Sequence, residues 1–287
     1  MTLPLPDARP PRPARSQHVF EVVRTERLTP HLVRVVLGGA AFDAFVGEAD
    51  PAKLATTDKY VKLLLARSGL GLRPPYDLDA LRAELPAGDV PVRRTYTVRH
   101  LDAAAKTIAI DFVVHGDEGI AGPWAASARP GDLLALSGPG GMYAPTGDPA
   151  VEHLLIGDDS ALPAVASALE GMPADARGLA LVEVGGPADE LPLSAPEDVE
   201  VRWVHRDGAV AGEALVAAVE ALPRPAARVQ VFAHGERTAM KGVRAVLQGW
   251  GLTRDDFSLS AYWALGRAED TFQAEKRLPV GDLFAAV

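Results

Sequence analysis

The chain has 287 residues, 48% of them apolar and 23% charged, which suits one large or two ordinary globular domains and not a disordered chain. Its 29 Lys and Arg against 38 Asp and Glu leave a net charge of −9, the wrong balance for a nucleic-acid binder. The absence of cysteine removes disulfides, thiolate nucleophiles, Cys-bound zinc and iron–sulfur clusters together, and agrees with a cytoplasmic protein.

Residues 1–17 hold five prolines and three arginines with no apolar segment, and read as a disordered tail rather than a signal peptide or anchor. From His18 the runs HVFEVVRTERL, HLVRVVLGG, KYVKLLLA, RRTYTVRHL, TIAIDFVVH and DLLALSGP are short and rich in Val, Ile, Leu and Thr. Turn chemistry separates them at Gly38-Gly39, Ser68-Gly69, Pro86-Ala87-Gly88-Asp89 and Pro130-Gly131-Asp132. Short strands punctuated in this way predict an antiparallel six-stranded β-barrel over 18–148.

Beyond Pro149 strand alternates with helix. VEHLLIG leads into ALPAVASALEGM and GLALVEVGG into a loop. EVRWVHR then precedes GEALVAAVEAL, RVQVFAHG precedes ERTAMKGVRAVLQGWG, and DFSLSAYWALG closes the series. That rhythm predicts a parallel-sheet α/β domain over 149–287. Leu133–Leu136 and Val151–Ile156 are too short to cross a bilayer, and no internal repeat is visible. Residues 1–149 carry 17 basic and 17 acidic side chains, and 150–287 carry 12 and 21. The split reflects either surface composition or an anionic ligand that docks against the first half.

Arg94-Thr95-Tyr96-Thr97 opens a predicted strand. Alternation puts Arg94 and Tyr96 on one face and Thr95 and Thr97 on the other, unless a kink at the strand end brings Thr97 round. An arginine, a ring and a hydroxyl together suit a phosphate, a flat heterocycle and its polar edge; the alternative is an amphipathic strand with a core tyrosine. About twenty residues on, His115-Gly116-Asp117-Glu118-Gly119-Ile120-Ala121-Gly122-Pro123-Trp124-Ala125 reads as a strand end, a glycine turn and a helix start, where backbone approaches a phosphate closely. A last strand closes on Gly138-Pro139-Gly140-Gly141-Met142-Tyr143.

In the second half, LLIGDDSALPA is a buried strand whose polar turn opens a helix, with Ser160 or Asp159 as N-cap and Pro163 in the first turn. No G-x-G-x-x-G is present. Ala233-His234-Gly235-Glu236 ends a strand at the place where open α/β sheets bind ligands, and Tyr262-Trp263 belongs either to that site or to the core. Lys59, Lys62, Arg67 and Arg73 form a basic stretch, read as a solvated face or as a substrate contact. The seven histidines lack metal-ligand spacing, so no protein-bound metal is expected, and no G-x-S-x-G elbow supports a hydrolase.

Barrel strands, R-x-Y-T, a glycine turn opening a helix, PGD, GPGG and then a parallel α/β half resemble the ferredoxin–NADP reductase superfamily. Within it, HGDEGIAGPWA, GDDSALPAV, FAHGERTAMKGVRAVL and AYWALG are similar to the siderophore-interacting proteins, FAD proteins that reduce ferric siderophores. The resemblance covers the chain from His18 onward. It implies that Arg94 holds the FAD pyrophosphate, that Tyr96 flanks the isoalloxazine, and that Thr97 bonds near its hydride-accepting nitrogen. Asp111, Val113 and His115 would line the flavin, and Gly122, Pro123, Trp124 and Ala125 would form the phosphate-binding turn. Gly157, Asp158, Ser160, Gly235, Glu236 and Trp263 would face NAD(P)H.

Ser160 stands where the family writes threonine in GDETALPA and keeps the hydroxyl. Where the family writes YWR-x-G this chain has Ala264, so an arginine expected to hold the siderophore is missing. Lys62 matches a family lysine; Lys59 and Arg267 are further candidates for the substrate. The resemblance implies a cytoplasmic reductase carrying electrons from NAD(P)H to ferric siderophores, a monomer by default. Its alternatives are a flavin reductase, a ferredoxin-coupled flavoprotein, or a siderophore- or flavin-binding module without turnover. Arg202 and Arg206, after the second α/β strand, are either surface residues or partners of a 2′-phosphate.

Overall fold

The structure is a computed structural model that describes residues 16–116, 119–276 and 278–284. Of the expected tail, residues 1–15 lie outside the described residues, as do Asp117 and Glu118 of the glycine turn. Gln17 is anchored: its Nε2 donates to the Tyr76 carbonyl at 2.7 Å and its Oε1 accepts from Tyr76 N at 2.9 Å.

The first half contains β1 (His18–Thr29), β2 (Leu32–Gly38), α1 (Ala41–Glu48), α2 (Pro51–Leu54), β3 (Tyr60–Leu65), α3 (Leu78–Glu84), β4 (Val92–Thr97), β5 (His100–Asp102), β6 (Thr107–Val113), α4 (Ala121–Ser127) and β7 (Leu133–Gly140). The strands form one antiparallel sheet of seven in the order β4-β3-β7-β1-β2-β6-β5. Six strands are those expected; the seventh, β5, is three residues long, too short for a periodicity to announce it. Tyr96 on β4 and Phe112 on β6 belong to strands near opposite edges, yet their rings lie 4.4 Å apart. The sheet therefore curls round a single core that includes Phe20, Val35, Leu63, Ile110 and Leu136.

The second half contains β8 (Val151–Asp158), α5 (Leu162–Glu170), β9 (Arg177–Val184), β10 (Asp198–His205), α6 (Glu213–Glu220), β11 (Arg228–Glu236), α7 (Arg237–Gly249), β12 (Phe257–Trp263) and α8 (Glu269–Glu275). Its five strands are parallel in the order β10-β9-β8-β11-β12. The chain runs outward from β8 in both directions, so the strand order switches between β8 and β11 and opens a crevice at their carboxyl ends. One core packs α6 and α7 on the sheet through Leu215, Met240 and Val243. The opposite core joins α5 to the barrel: Leu32 and Tyr143 from the first half pack with Leu162 and Phe232 from the second. At its rim Arg99 pairs with Glu170 and His31 with Asp189.

Candidate functional site

The barrel supplies one wall. Tyr60 pairs with Thr97 and Lys62 with Thr95, so β4 turns Arg94 and Tyr96 to the side opposite Lys62 and Thr95, as alternation requires. Tyr96 tilts on Phe112 at 4.4 Å, and Phe112 on Trp124 at 5.6 Å, which joins two of the expected ligand residues through the fully buried Phe112 of the Asp111–His115 run. Burial holds the Tyr96 phenol protonated, well above the ordinary tyrosine range.

Arg94 presents a fork: Nη1 and Nη2 reach the two carboxylate oxygens of Asp270 on α8 at 3.1 and 3.3 Å. A bidentate carboxylate on this guanidinium shows that it can take a two-oxygen anion, which is the geometry a phosphate needs. At the end of β6, α4 starts without a side-chain cap. A Cβ on Gly122 would lie 3.3 Å from the Val113 carbonyl oxygen, a tight contact that a side chain would meet only with a shift of a few tenths of an ångström between α4 and the end of β6. The residues present therefore fit an FAD: an anion fork, an aromatic wall and a close main-chain turn. Pro123 is half-buried, Ala125 buried and His115 exposed. Asp111 is buried with its carboxylate committed to Arg34, Nε–Oδ1 2.6 Å and Nη2–Oδ2 2.8 Å, so its side chain is not free for a ligand.

The second half supplies the facing wall. Asp158 ends β8 with its carboxylate fully enclosed. Its Oδ1 accepts from Ser160 N at 3.0 Å, Ser160 Oγ at 2.5 Å and Ala161 N at 3.3 Å. Its Oδ2 accepts from Glu236 N at 2.8 Å and from Trp263 Nε1 at 2.7 Å. Burial raises its pKa to about 6, with Asp159 adding to the shift, while the bonds from Ser160, Trp263 and Glu236 oppose it. Neither Ser160 nor Asp159 occupies the N-cap of α5; Ala161 does, without a side-chain cap, and Asp158 holds the turn before the helix through Ser160 N and Ala161 N. The Ser160 hydroxyl is thereby drawn inward to Asp158.

Close approach explains two more glycines. A Cβ on Gly157 would lie 2.9 Å from the Ala161 Cβ, and one on Gly235 would lie 2.8 Å from Asp158 Oδ2. Glu236 is buried and caps α7, its Oε2 accepting from Thr238 N and from Ala239 N at 2.9 Å, while Oε1 accepts from Leu265 N at 3.0 Å. Asp158 and Glu236 thus position the turns instead of offering free oxygens.

The two walls meet at Tyr262. Its hydroxyl shares a hydrogen bond with Thr97, and its ring stands edge-on to His234 at 5.0 Å. His234 stacks on Phe232 at 3.9 Å and bonds Ser258 Oγ through Nε2 at 3.0 Å, while its buried Nδ1 has no partner. Burial pushes its pKa down to about 3, with the Lys276 charge adding, so the ring is neutral.

Among the basic candidates, Lys62 donates to Thr95 Oγ1 and lies 5.3 Å from the centre of the Tyr60 ring. Burial lowers the pKa of Lys59. Arg267 is tied to Glu275, Nε–Oε1 2.9 Å, and Ala264 is buried in the α7-side core. Lys276 feels the charge of Lys62 and lines an open hollow of about 550 Å³ with Ser260 and Phe284. Among the described residues no three His, Asp or Glu side chains are grouped to hold a metal, and no helix is long and apolar enough to cross a membrane. Sequence reasoning missed Asp270, which lies 176 residues from Arg94 and carries no local signal.

Two family descriptions match: a siderophore-interacting FAD-binding domain over residues 21–143 and a siderophore-interacting protein domain over 150–266. An uncharacterized protein of Mycobacterium tuberculosis is 45% identical over 92% of this chain and 95% of its own. The ferric vibriobactin reductase ViuB of Vibrio cholerae is 31% identical over 93% and 96%, and an NADPH-dependent ferric-chelate reductase of Escherichia coli is 29% identical over 84% and 91%. The crystal structure of a siderophore utilization protein from T. fusca superposes with a TM-score of 0.75 at 38% identity, over 88% of this chain and 94% of that one. The chain belongs to the siderophore-interacting protein family, with an FAD-binding domain in its first half.

Proposed function

We propose that the protein is a cytoplasmic reductase that uses FAD to pass electrons from NAD(P)H to iron held in a ferric siderophore. The observation that supports this reading is the meeting of the two halves: Thr97, at the end of the strand that carries Arg94 and Tyr96, shares a hydrogen bond with Tyr262, whose neighbour Trp263 donates to Asp158 at the end of β8. The ferric vibriobactin reductase and the NADPH-dependent ferric-chelate reductase among the relatives support it.

FAD, when bound, accepts two electrons as a hydride and gives them up singly, the chemistry that links a nicotinamide to Fe(III). Arg94 would hold the pyrophosphate by exchanging Asp270 for it. Tyr96 would support the flat ring system, and Thr97 would orient the polar edge where hydride arrives. Gly122, Pro123, Trp124 and Ala125 would seat the phosphates, with the main chain of Asp111, Val113 and His115 alongside. Gly157, Asp158, Ser160, Gly235, Glu236 and Trp263 would shape the nicotinamide side, Asp158 by fixing the Trp263 indole. Lys62, with Lys59 near it and Lys276 beyond, would draw in an anionic ferric siderophore. No side chain is asked to move a proton during the one-electron steps, and Fe(II) is then held less tightly by hard oxygen donors.

One observation favours a second acceptor. The arginine of the family pattern is the buried Ala264, and Arg267 is bound to Glu275, so free flavin remains a competing substrate. Reduction rates measured side by side with a ferric siderophore and with free flavin test this. Faster iron reduction supports the siderophore reading, and faster flavin reduction overturns it.

A further inference from the structure

We infer that the crevice takes a dinucleotide with a free 2′-hydroxyl in preference to one with a 2′-phosphate, so that NADH and not NADPH is the donor. This rests on the reading that the crevice binds NAD(P)H. In parallel α/β sheets the adenosine ribose lies near the carboxyl ends of the strands beside the first; a carboxylate there suits a 2′-hydroxyl and a free arginine suits a 2′-phosphate. Here the corresponding loops follow β9 and β10, and Arg206 N donates to the Val184 carbonyl at 3.0 Å, pinning them together.

Arg206 is the arginine at this place, and two carboxylates already share it. Its Nη2 lies 2.6 Å from Asp159 Oδ2 and its Nη1 3.5 Å from Glu183 Oε1, with the Arg206 side chain 19% exposed. Glu183 cannot swing away. It is fully buried and accepts from Gly212 N at 2.9 Å and Leu215 N at 3.0 Å at the start of α6. Arg202 is turned to Glu200, Nη2–Oε1 2.9 Å, and His205 to Glu190 at 2.7 Å.

Further carboxylates border the same loop. A Cβ on Gly185 would lie 2.7 Å from Asp189 Oδ2 and 3.8 Å from Arg206 Nη2, and one on Gly186 would lie 3.9 Å from Asp207 Oδ1. His31 answers Asp189, Nδ1–Oδ1 2.9 Å. A phosphate monoester carries nearly two negative charges at neutral pH. To reach the Arg206 guanidinium it would have to displace Asp159 and then lie beside it, with Asp189 and Asp207 opposing as well. A ribose hydroxyl meets no such conflict, because it can donate to a carboxylate.

The test is calorimetric titration of the FAD-supplied protein with ADP-ribose and with 2′-phospho-ADP-ribose, which needs no turnover. ADP-ribose is expected to bind at least roughly tenfold more tightly, a factor equal to about 1.4 kcal/mol. In Asp159→Asn, which releases Arg206 and removes a charge, that ratio is expected to fall to near one or to reverse. Asp189→Asn, which leaves the Arg206 pairs in place, is expected to shift it in the same direction by less. Equal or tighter binding of 2′-phospho-ADP-ribose by the unaltered protein would overturn the inference. Binding of neither would overturn it together with the nucleotide half of the proposed function. A preference for ADP-ribose in a protein whose flavin no dinucleotide reduces would uphold the specificity and sink the reductase.

Discussion

Asp158 and His234 are buried near the carboxyl ends of β8 and β11, and their buried environments have testable consequences. Replacing Asp158 by Ala strands the Glu236 N–H, the Ser160 N–H and the Trp263 indole N–H, while Ala161 N keeps its bond to the main-chain carbonyl of residue 158. The expected loss is about 3 kcal/mol or more of stability, read by denaturant unfolding, because each orphaned buried donor carries its full desolvation cost. His234 acts through pH. Its pKa is pushed down to about 3 in the fold, by burial first and the Lys276 charge second, against an unfolded value of about 6.5. As pH falls the unfolded chain therefore takes the proton first. The stability is complete above about pH 6.5 and drains away toward pH 3, by about 1.4 kcal/mol per pH unit. Between pH 6.5 and 5 the wild type should lose about 2 kcal/mol relative to His234→Phe; parallel stability curves for the two would refute the buried neutral ring. Arg94→Ala should fold normally yet retain FAD some 10- to 100-fold less well, the scale of one or two lost charge-assisted bonds, and equilibrium dialysis of the flavin measures it. Arg94 was readable because it sits in a local pattern with Tyr96 and Thr97. Its partner Asp270 was not, since the two are 176 residues apart and only the fold joins them.

The strands were legible as elements because their apolar alternation and glycine or proline turns agree locally. The α1, α2 and α3 helices were not, being four to eight residues long and lying among turn-forming residues where no helical stripe can be completed. The start of α5 was legible in place but not in chemistry: the N-cap is Ala161, which has no side chain to cap with, and the strand-end Asp158 instead holds the turn before it through Ser160 N and Ala161 N. Close approach between elements is equally invisible to composition, and Gly122 is the instance that matters for the site. In Gly122→Val the added side chain would push α4 from the Val113 carbonyl, so FAD retention is expected to fall by roughly tenfold or more while far-ultraviolet dichroism stays unchanged. Retention equal to wild type would mean that the turn before α4 does not seat the phosphates.

The molecule as a whole is two sheets locked through one shared apolar core, with Leu32 and Tyr143 set against Leu162 and Phe232. We propose that the chain divides into its two domains near Asp148, in the stretch between β7 and β8. The shared core fixes the barrel wall and the crevice at one separation, as the proposed electron passage between two ligands would need. The excess of negative charge lies in the second half, and the anionic ligands of the proposal sit against Arg94 in the barrel and beside Lys62 at its rim, away from most of it. The measurement that tests this account most directly is an anaerobic visible spectrum of the protein with FAD supplied, taken before and after NADH and NADPH and again after a ferric siderophore. The account predicts that the flavin band bleaches with NADH faster than with NADPH and returns when the ferric siderophore is added. A bound flavin that neither nucleotide bleaches, or a bleached one that ferric siderophore fails to restore, would contradict it.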